Sequence, residues 1–341
     1  MNLFPLIRPI LFTLDAESAH EKTFQILDYL ESKGLLNKLV GNIPQNPKVF
    51  CGLKLPNPVG LAAGLDKDGK HIDALASLGF GFLEIGTVTP LPQAGNPKPR
   101  LFRLTDKQGI INRMGFNNDG VKACVQRVQQ SNFYQSGGII GLNIGKNATT
   151  PIEEASNDYL IGLREVYSVA SYVTVNISSP NTKNLRQLQE GNELEKLLQA
   201  LRQEREGLMQ TYGKRLPMFL KIAPDLVSEQ IKEISDLVQQ HQFDAIIATN
   251  TTLSRFGVEK EAHGHETGGL SGGPVKKQST QILEAFAKEL QGKVPLIGVG
   301  GILSGLDAKD KIVAGASVVQ LYSGLIFKGP ELIKECIQSI R

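Results

Sequence analysis

Eight short apolar runs, each followed by a stretch of helical periodicity, constrain this chain more than any other feature. The runs cover residues 59–63, 82–86, 139–144, 172–177, 218–222, 245–249, 296–299 and 318–321. They are continuously apolar rather than alternating, which is the pattern of parallel strands buried on both faces. Helical spacing fills the gaps, over 71–78, 119–130, 157–170, 193–212, 228–240, 278–290 and 306–314, with a last stretch at 330–340. Eight strands alternating with eight helices predict an α/β fold, a (β/α)8 TIM barrel over about residues 59–341. Hydrophobic residues make up 41% and charged residues 21% of the chain, enough apolar material for such a core.

A different segment precedes the barrel. Residues 2–14 and 19–30 each have the spacing of a short helix, with Phe4, Ile7, Leu11 and Leu14 on one face and Phe24, Leu27 and Leu30 on the other. Asp15 is placed to cap the second helix and Gly34 to stop it. Four prolines between residues 43 and 59 mark a linker, with a small hairpin expected at 48–55 across the barrel floor. The domain division expected is therefore a helical segment at 1–40 and a barrel domain at 41–341. Lys plus Arg number 37 against 34 for Asp plus Glu, a balance that lacks the concentrated basic face of a nucleic-acid binder. The three cysteines, Cys51, Cys124 and Cys336, are far apart, which excludes a disulfide scaffold and a cysteine-rich metal site. No metal is expected. No run approaches the ~20 apolar residues of a membrane span.

The polar residues gather at the C-terminal ends of the strands, the face on which this fold builds its sites. The ends read AAGLDKDG (62–69), Thr87, NIGKN (143–147), NISSPNT (176–182), LKIAPD around Lys221, ATNTT (248–252), GVGGI (298–302) and YSG (322–324). The glycines after the last two strands suit a phosphate held by backbone N–H groups. Lys67 and Lys221 at the mouth suit an anion. Asn112, Asn143, Asn176, Asn181 and Asn250 suit a planar ligand with amide edges. None of the five histidines falls in these clusters, so a serine–histidine mechanism has little support. Ser178 or Ser179, beside Pro180, remains as a base, provided that a cofactor carries most of the chemistry.

At these clusters the chain resembles the dihydroorotate dehydrogenases, and within them the quinone-dependent, membrane-associated class 2. The motifs AAGLDKDG, EIGTVTP, GNPKPRLFRL, INRMGFNN, NIGKN, NISSPNT, LKIAPD, ATNTT, GLSGGP, GVGGI and YSG follow in family order over about residues 49–330, and DAESAH at 15–20 also matches. The resemblance implies one non-covalent flavin mononucleotide (FMN). Its phosphate would lie on Gly272, Gly301, Tyr322 and Ser323. Its rings and ribityl chain would lie among Ala63, Gly64, Leu65, Asp66, Lys67, Thr87, Asn143, Asn176, Lys221 and Thr249. Dihydroorotate, or its product orotate, would be held by Lys67, Asn112, Arg113, Met114, Gly115, Phe116, Asn176, Asn181, Asn250 and Thr251. Ser179 would take the C5 proton while hydride leaves C6 for the flavin, in a step of pyrimidine biosynthesis. Class 1 relatives carry cysteine as the base, and no cysteine here lies near NISSPNT.

The N-terminal helices are the second mark of class 2. The resemblance makes them the mouth of a tunnel for a membrane quinone, ubiquinone or menaquinone, with His20, Arg103 and Tyr322 at its polar end. The expected setting is a monomer lying on the cytoplasmic face of a bacterial inner membrane, without a spanning helix and without nucleic acid. Since the barrel carries its own strands and flavin site, residues 1–40 are expected to be dispensable for flavin reduction.

Overall fold

The computed structural model describes residues 4–182, 184–189 and 191–341. Eight parallel strands close into a barrel: Val59–Leu61 (β1), Phe82–Val88 (β2), Ile140–Ile144 (β3), Tyr172–Asn176 (β4), Met218–Ile222 (β5), Ala245–Ala248 (β6), Leu296–Val299 (β7) and Ala316–Leu321 (β8). They pair in chain order, and β8 closes on β1 through Val319–Val59 and Leu321–Leu61. Nearly every strand residue is buried, as the unbroken apolar runs require. The helices that cover them are amphipathic. Helix Gly191–Tyr212, for example, buries Leu194, Leu197, Leu198 and Leu201 against the barrel. Each such leucine contributes about 1.5–3 kcal/mol on leaving water.

The barrel floor is a plug of rings. Phe82, Tyr172 and Phe219 fill the inside, with Tyr172 stacked on Phe219 at 4.5 Å. The expected hairpin, Lys48–Phe50 paired with Leu53–Leu55, lies across this end and adds Phe50 and Leu55 to the cluster. With the floor sealed, only the opposite mouth is open to ligands.

The first N-terminal helix, α1, spans Phe4–Thr13, so residues 2 and 3 of the expected helix lie outside the described residues. The second, α2, spans Ala16–Ser32 and begins three residues earlier than its apolar spacing suggested. Asp15 caps it, accepting the backbone N–H groups of Glu17 and Ser18 at 3.0 Å, and this bond sets the start. A further short helix, Leu36–Val40, follows. Helix α1 rests on the helix Ser323–Lys328, with Phe12 edge-on to Phe327 at 5.6 Å, and α2 rests on the helix Ile72–Ala76.

One layer escaped the periodicity. Strands Leu101–Leu104, Gly109–Asn112 and Gly269–Gly272 form an antiparallel sheet beside the mouth. Its members come from loops after β2 and β6, and as four-residue strands reading LFRL, GIIN and GLSG they lack the unbroken apolar run of a barrel strand. Phe102, Leu104, Ile111, Val258 and Leu270 form its own small core.

Candidate active site

A single cavity of about 990 Å³, its open mouth included, occupies the C-terminal end of the barrel. It is lined by Ala63, Gly64, Lys67, Thr87, Asn112, Met114, Gly115, Phe116, Asn176, Ser179, Asn181, Lys221, Thr249, Asn250, Thr251, Gly272, Gly301, Tyr322 and Ser323, among others. These residues come from every part of the chain between β1 and β8. The parallel strands bring them together because each βα turn opens on the same side.

The asparagines form two hydrogen-bonded groups, one running from Asn143 through Asn176 to Asn250 and one pairing Asn181 with Asn112. Asn176 Nδ2 donates to Thr87 Oγ1 at 2.9 Å, and Thr87 Oγ1 donates to Asn143 Oδ1 at 2.6 Å. Asn181 Nδ2 donates to the carbonyl and the side-chain oxygen of Asn112 at 3.0 and 3.1 Å. Asn250 Nδ2 donates to Ser178 Oγ at 3.0 Å, and Ser178 Oγ donates to Asn176 Oδ1 at 3.0 Å. Ser178 is thus committed to the scaffold and does not reach the cavity. Ser179 lines the cavity, and among the described residues its hydroxyl has one partner, accepting the backbone N–H of Asn181 at 3.3 Å. Its proton is not committed to a protein acceptor. Of the two serines left open by sequence, the geometry leaves Ser179 facing a ligand.

Both lysines lie in the cavity wall. Burial pulls Lys221 below the ordinary lysine value, and Glu84, with Oε1 3.7 Å from Nζ, pulls it back. Glu84 is itself fully buried on β2. It accepts hydrogen bonds from Asn143 Nδ2 and Gln320 Nε2, both at 2.8 Å, and from the Tyr172 hydroxyl at 3.3 Å. A charge pair placed so deep persists only with such full satisfaction. Lys67 has Met114 Sδ as its neighbour at 3.3 Å. Burial, with the like charge of Arg100, lowers Lys67 to about 8.

Gly272, Gly301 and Ser323 meet at one end of the cavity, where Ser323 Oγ lies 2.8 Å from Ser271 Oγ. Gly301 has φ +73°, and a Cβ there would sit 2.4 Å from the Lys276 Cα. Gly272 has φ +85°, and a Cβ there would sit 2.2 Å from the Gln108 carbonyl oxygen. Only glycine fits between these neighbouring segments at both places, and both glycines line the cavity. The residues fit an FMN in a second way. Gln320 Oε1, on the cavity wall, is buried with no hydrogen-bond donor, and a flavin ring brings an N–H.

A second cavity, of about 960 Å³ and mostly apolar, lies between α1, α2 and the barrel. His20, Arg103 and Tyr322 all line it, and Tyr322 lines the first cavity as well. Burial, reinforced by Lys67 and His71, depresses His20 to about 3, so its ring is neutral. Arg103 donates to the carbonyls of Leu11, Phe12 and Leu14 at the end of α1 and lies over the Phe12 ring at 4.6 Å. It thus caps α1 as well as lining the second cavity.

The family model for dihydroorotate dehydrogenase matches residues 47–341. A protein of Polynucleobacter asymbioticus described as dihydroorotate dehydrogenase (quinone) is 60% identical over 341 residues, covering 100% of this chain and 99% of its own. One of Dechloromonas aromatica with the same description is 57% identical, covering 99% and 97%. The solved structure of the Eimeria tenella dihydroorotate dehydrogenase in complex with ferulenol is 37% identical, with a TM-score of 0.85 over 96% of this chain and 90% of that one. The chain belongs to the dihydroorotate dehydrogenase family.

Four of the residues that the family resemblance suggested do not line the main cavity. Leu65 faces the second cavity. The Asp66 carboxylate turns back to accept the backbone N–H groups of Asp68, Lys70 and His71, which holds the loop after β1 in shape. Arg113 points outward, pairs with Glu266 and lies over the Phe102 ring at 4.6 Å. Asn143 stands behind Thr87, between it and Glu84. Three groups were missed by sequence reasoning. Glu84 and Gln320 are a carboxylate and an amide inside mostly apolar strands, and that anomaly was the available signal. Arg100 was quoted only as part of a motif. It is buried and forms an ion pair with Glu17 of α2.

Proposed function

We propose that this member of the dihydroorotate dehydrogenase family oxidises dihydroorotate to orotate in pyrimidine biosynthesis, with FMN in the main cavity and a quinone in the apolar one. When bound, the flavin accepts hydride from C6 of dihydroorotate and gives up the electrons to the quinone. The remaining tasks belong to the protein. Lys67 pairs with the substrate carboxylate, and the linked asparagines present donors and acceptors to the amide edges of the ring. Ser179 takes the proton from C5. Its hydroxyl lines the cavity with no acceptor for its proton among the described residues, while Ser178 is held by Asn176 and Asn250. Lys221, whose charged form Glu84 favours against the effect of burial, offsets the negative charge that reduction brings to the ring.

The single observation that carries this reading is the pair of cavities sharing Tyr322. One carries two lysines and a set of asparagines in its wall and is sealed at the barrel floor. The other is apolar and framed by helices whose outer faces expose Leu6, Ile7, Ile10, Ile26 and Tyr29. Substrate and quinone would thus reach opposite sides of one flavin. Those exposed residues also support a chain that lies on a membrane surface; with the quinone it is proposed to use, we assign it as a monomer to the cytoplasmic side of a bacterial inner membrane. No helix among the described residues is long and apolar enough to cross a membrane.

Single-turnover reduction of the Ser179→Ala variant tests the reading. Flavin binding is expected to persist while reduction by dihydroorotate slows by roughly 10²–10⁴-fold, the worth of a positioned base. Ser179→Cys should retain part of the rate, since a thiolate can take the same proton. Reduction of Ser179→Ala at the unaltered rate would remove Ser179 from the chemistry.

A further inference from the structure

Lys311 lies in the helix Gly305–Val313 and is completely buried. Its ammonium donates to Ser279 Oγ at 2.6 Å and to Thr280 Oγ1 at 2.9 Å, both neutral hydroxyls. Among the described residues, Lys311 forms no ion pair. The acids nearest it on its own helix, Asp307 and Asp310, are both engaged by Lys276. Ser279 and Thr280 belong to the opening turns of the helix Lys276–Leu290, so the ammonium sits at the positive end of that helix. A buried cation without a counter-ion is costly, and this helix end adds to the cost. Burial lowers Lys311 to about 7. Lys276 pushes the same way, while Asp307, Asp310 and Glu284 oppose.

The missing anion has an evident place. Ser279 Oγ also lies 3.1 Å from the carbonyl of Gly300, and Gly300 and Gly301 line the main cavity. One hydroxyl therefore separates the ammonium from the glycine loop at the phosphate end of the site. We propose that Lys311 is the buried counter-charge of the flavin phosphate and takes up a proton from solvent when the phosphate binds. The inference rests on the assignment of FMN to this cavity, and it adds a residue that does not touch the ligand. The step is one proton transfer: an N–H bond forms at Lys311 Nζ as an O–H bond of the hydronium donor breaks and water is released, and the phosphate stays a dianion.

The discriminating probe is riboflavin, which has the same ring and lacks the phosphate. The full chain, with its own flavin dialysed away, is titrated with FMN and separately with riboflavin at about pH 8, above the second phosphate pKa of ~6. Proton uptake is obtained by calorimetry in buffers of different ionisation heat. The unaltered protein should take up close to one proton with FMN and none with riboflavin. Its preference for FMN should fall as pH rises above about 7, because the neutral lysine must then be charged on binding. Lys311→Met should lose the proton uptake and weaken FMN by roughly tenfold or more, with riboflavin affinity unchanged.

If Lys311→Met keeps both the FMN preference and the proton uptake, Lys311 is structural and the inference fails, while the flavin assignment stands. If the variant does not fold, the unaltered protein still decides, since FMN binding without proton uptake overturns the proposal. Binding of neither flavin would overturn the flavin assignment, and the inference with it.

Discussion

Replacing Glu17 by glutamine tests how the N-terminal helices are tied to the substrate side of the barrel. Glu17 and Arg100 are both buried. Arg100 Nη2 donates to Glu17 Oε1 at 2.8 Å and Nε to Oε2 at 3.2 Å, while Nη1 holds the carbonyls of Ala94 and Asn96 at 2.8 and 2.9 Å. Asn96 in turn donates to the Arg113 carbonyl at 2.8 Å, beside Met114 and Gly115 of the cavity wall. Glutamine keeps the shape and removes the charge, which leaves the buried guanidinium uncompensated. Removing one partner of such a pair costs about 3–5 kcal/mol. The retained amide oxygen puts this case near the lower end. Lys98, 3.3 Å from Glu17 but mostly exposed, adds little. At ~2 °C per kcal/mol for a large domain, the melting temperature should fall by about 6 °C.

The pH dependence has a definite sign. Burial pushes the Glu17 carboxyl up, but hydrogen bonds and charge from Arg100, with help from Lys98, hold it below its ordinary 4.5. The pair's contribution is therefore complete above about pH 4.5 and is lost as pH falls through the folded-state value. The gap between the two proteins should narrow on acidification. Thermal unfolding followed by flavin release across this range measures it, and anaerobic titration with dihydroorotate should show several-fold weaker half-saturation. A variant that melts within about 1 °C of the parent near neutral pH, with unchanged half-saturation, would refute the coupling. The same pair bears on residues 1–40. Sequence alone suggested that flavin reduction would survive their removal, but their loss strips Arg100 of its partner and should impair that step too.

Three further outcomes follow from the site. Lys221→Met should lower the potential of the bound flavin and weaken its binding, as spectroelectrochemistry would show; an unchanged potential would make Lys221 a packing residue. Because Lys67 is lowered to about 8 by burial and by Arg100, the Michaelis constant for dihydroorotate should climb above about pH 8, as its cation is lost; a flat profile to about pH 9.5 would exclude it as the carboxylate partner. Burial raises all three thiols, Cys51 to about 12 and Cys124 and Cys336 further, so alkylating reagents at neutral pH should leave turnover untouched.

The barrel was legible because burial on both strand faces forces unbroken apolar runs, and because eight βα turns must place their polar residues on one side. The residues alone left Ser178 and Ser179 as candidate bases and the family resemblance pointed to Ser179; in the fold Ser178 is tied to Asn176 and Asn250, and Ser179 is not. The antiparallel sheet was illegible because its strands are four residues long and its third member enters from a loop far along the chain. Glu84, Arg100 and Lys311 were passed over for a related reason. Their importance comes from burial beside partners distant in sequence, as Glu84 with Gln320 or Arg100 with Glu17, which no local pattern announces. Asp66 and Arg113 belong to conspicuous motifs, yet their side chains serve the loops rather than the cavity.

The central claim is that one flavin stands between a dihydroorotate site and a quinone site. Its most direct test is anaerobic addition of dihydroorotate to the purified full-length protein, followed by a long-tailed quinone. The flavin absorbance should bleach with one orotate formed per flavin and return when the quinone is added, even with every thiol alkylated. A preparation that carries no flavin, or whose flavin stays oxidised under excess dihydroorotate, would contradict the account.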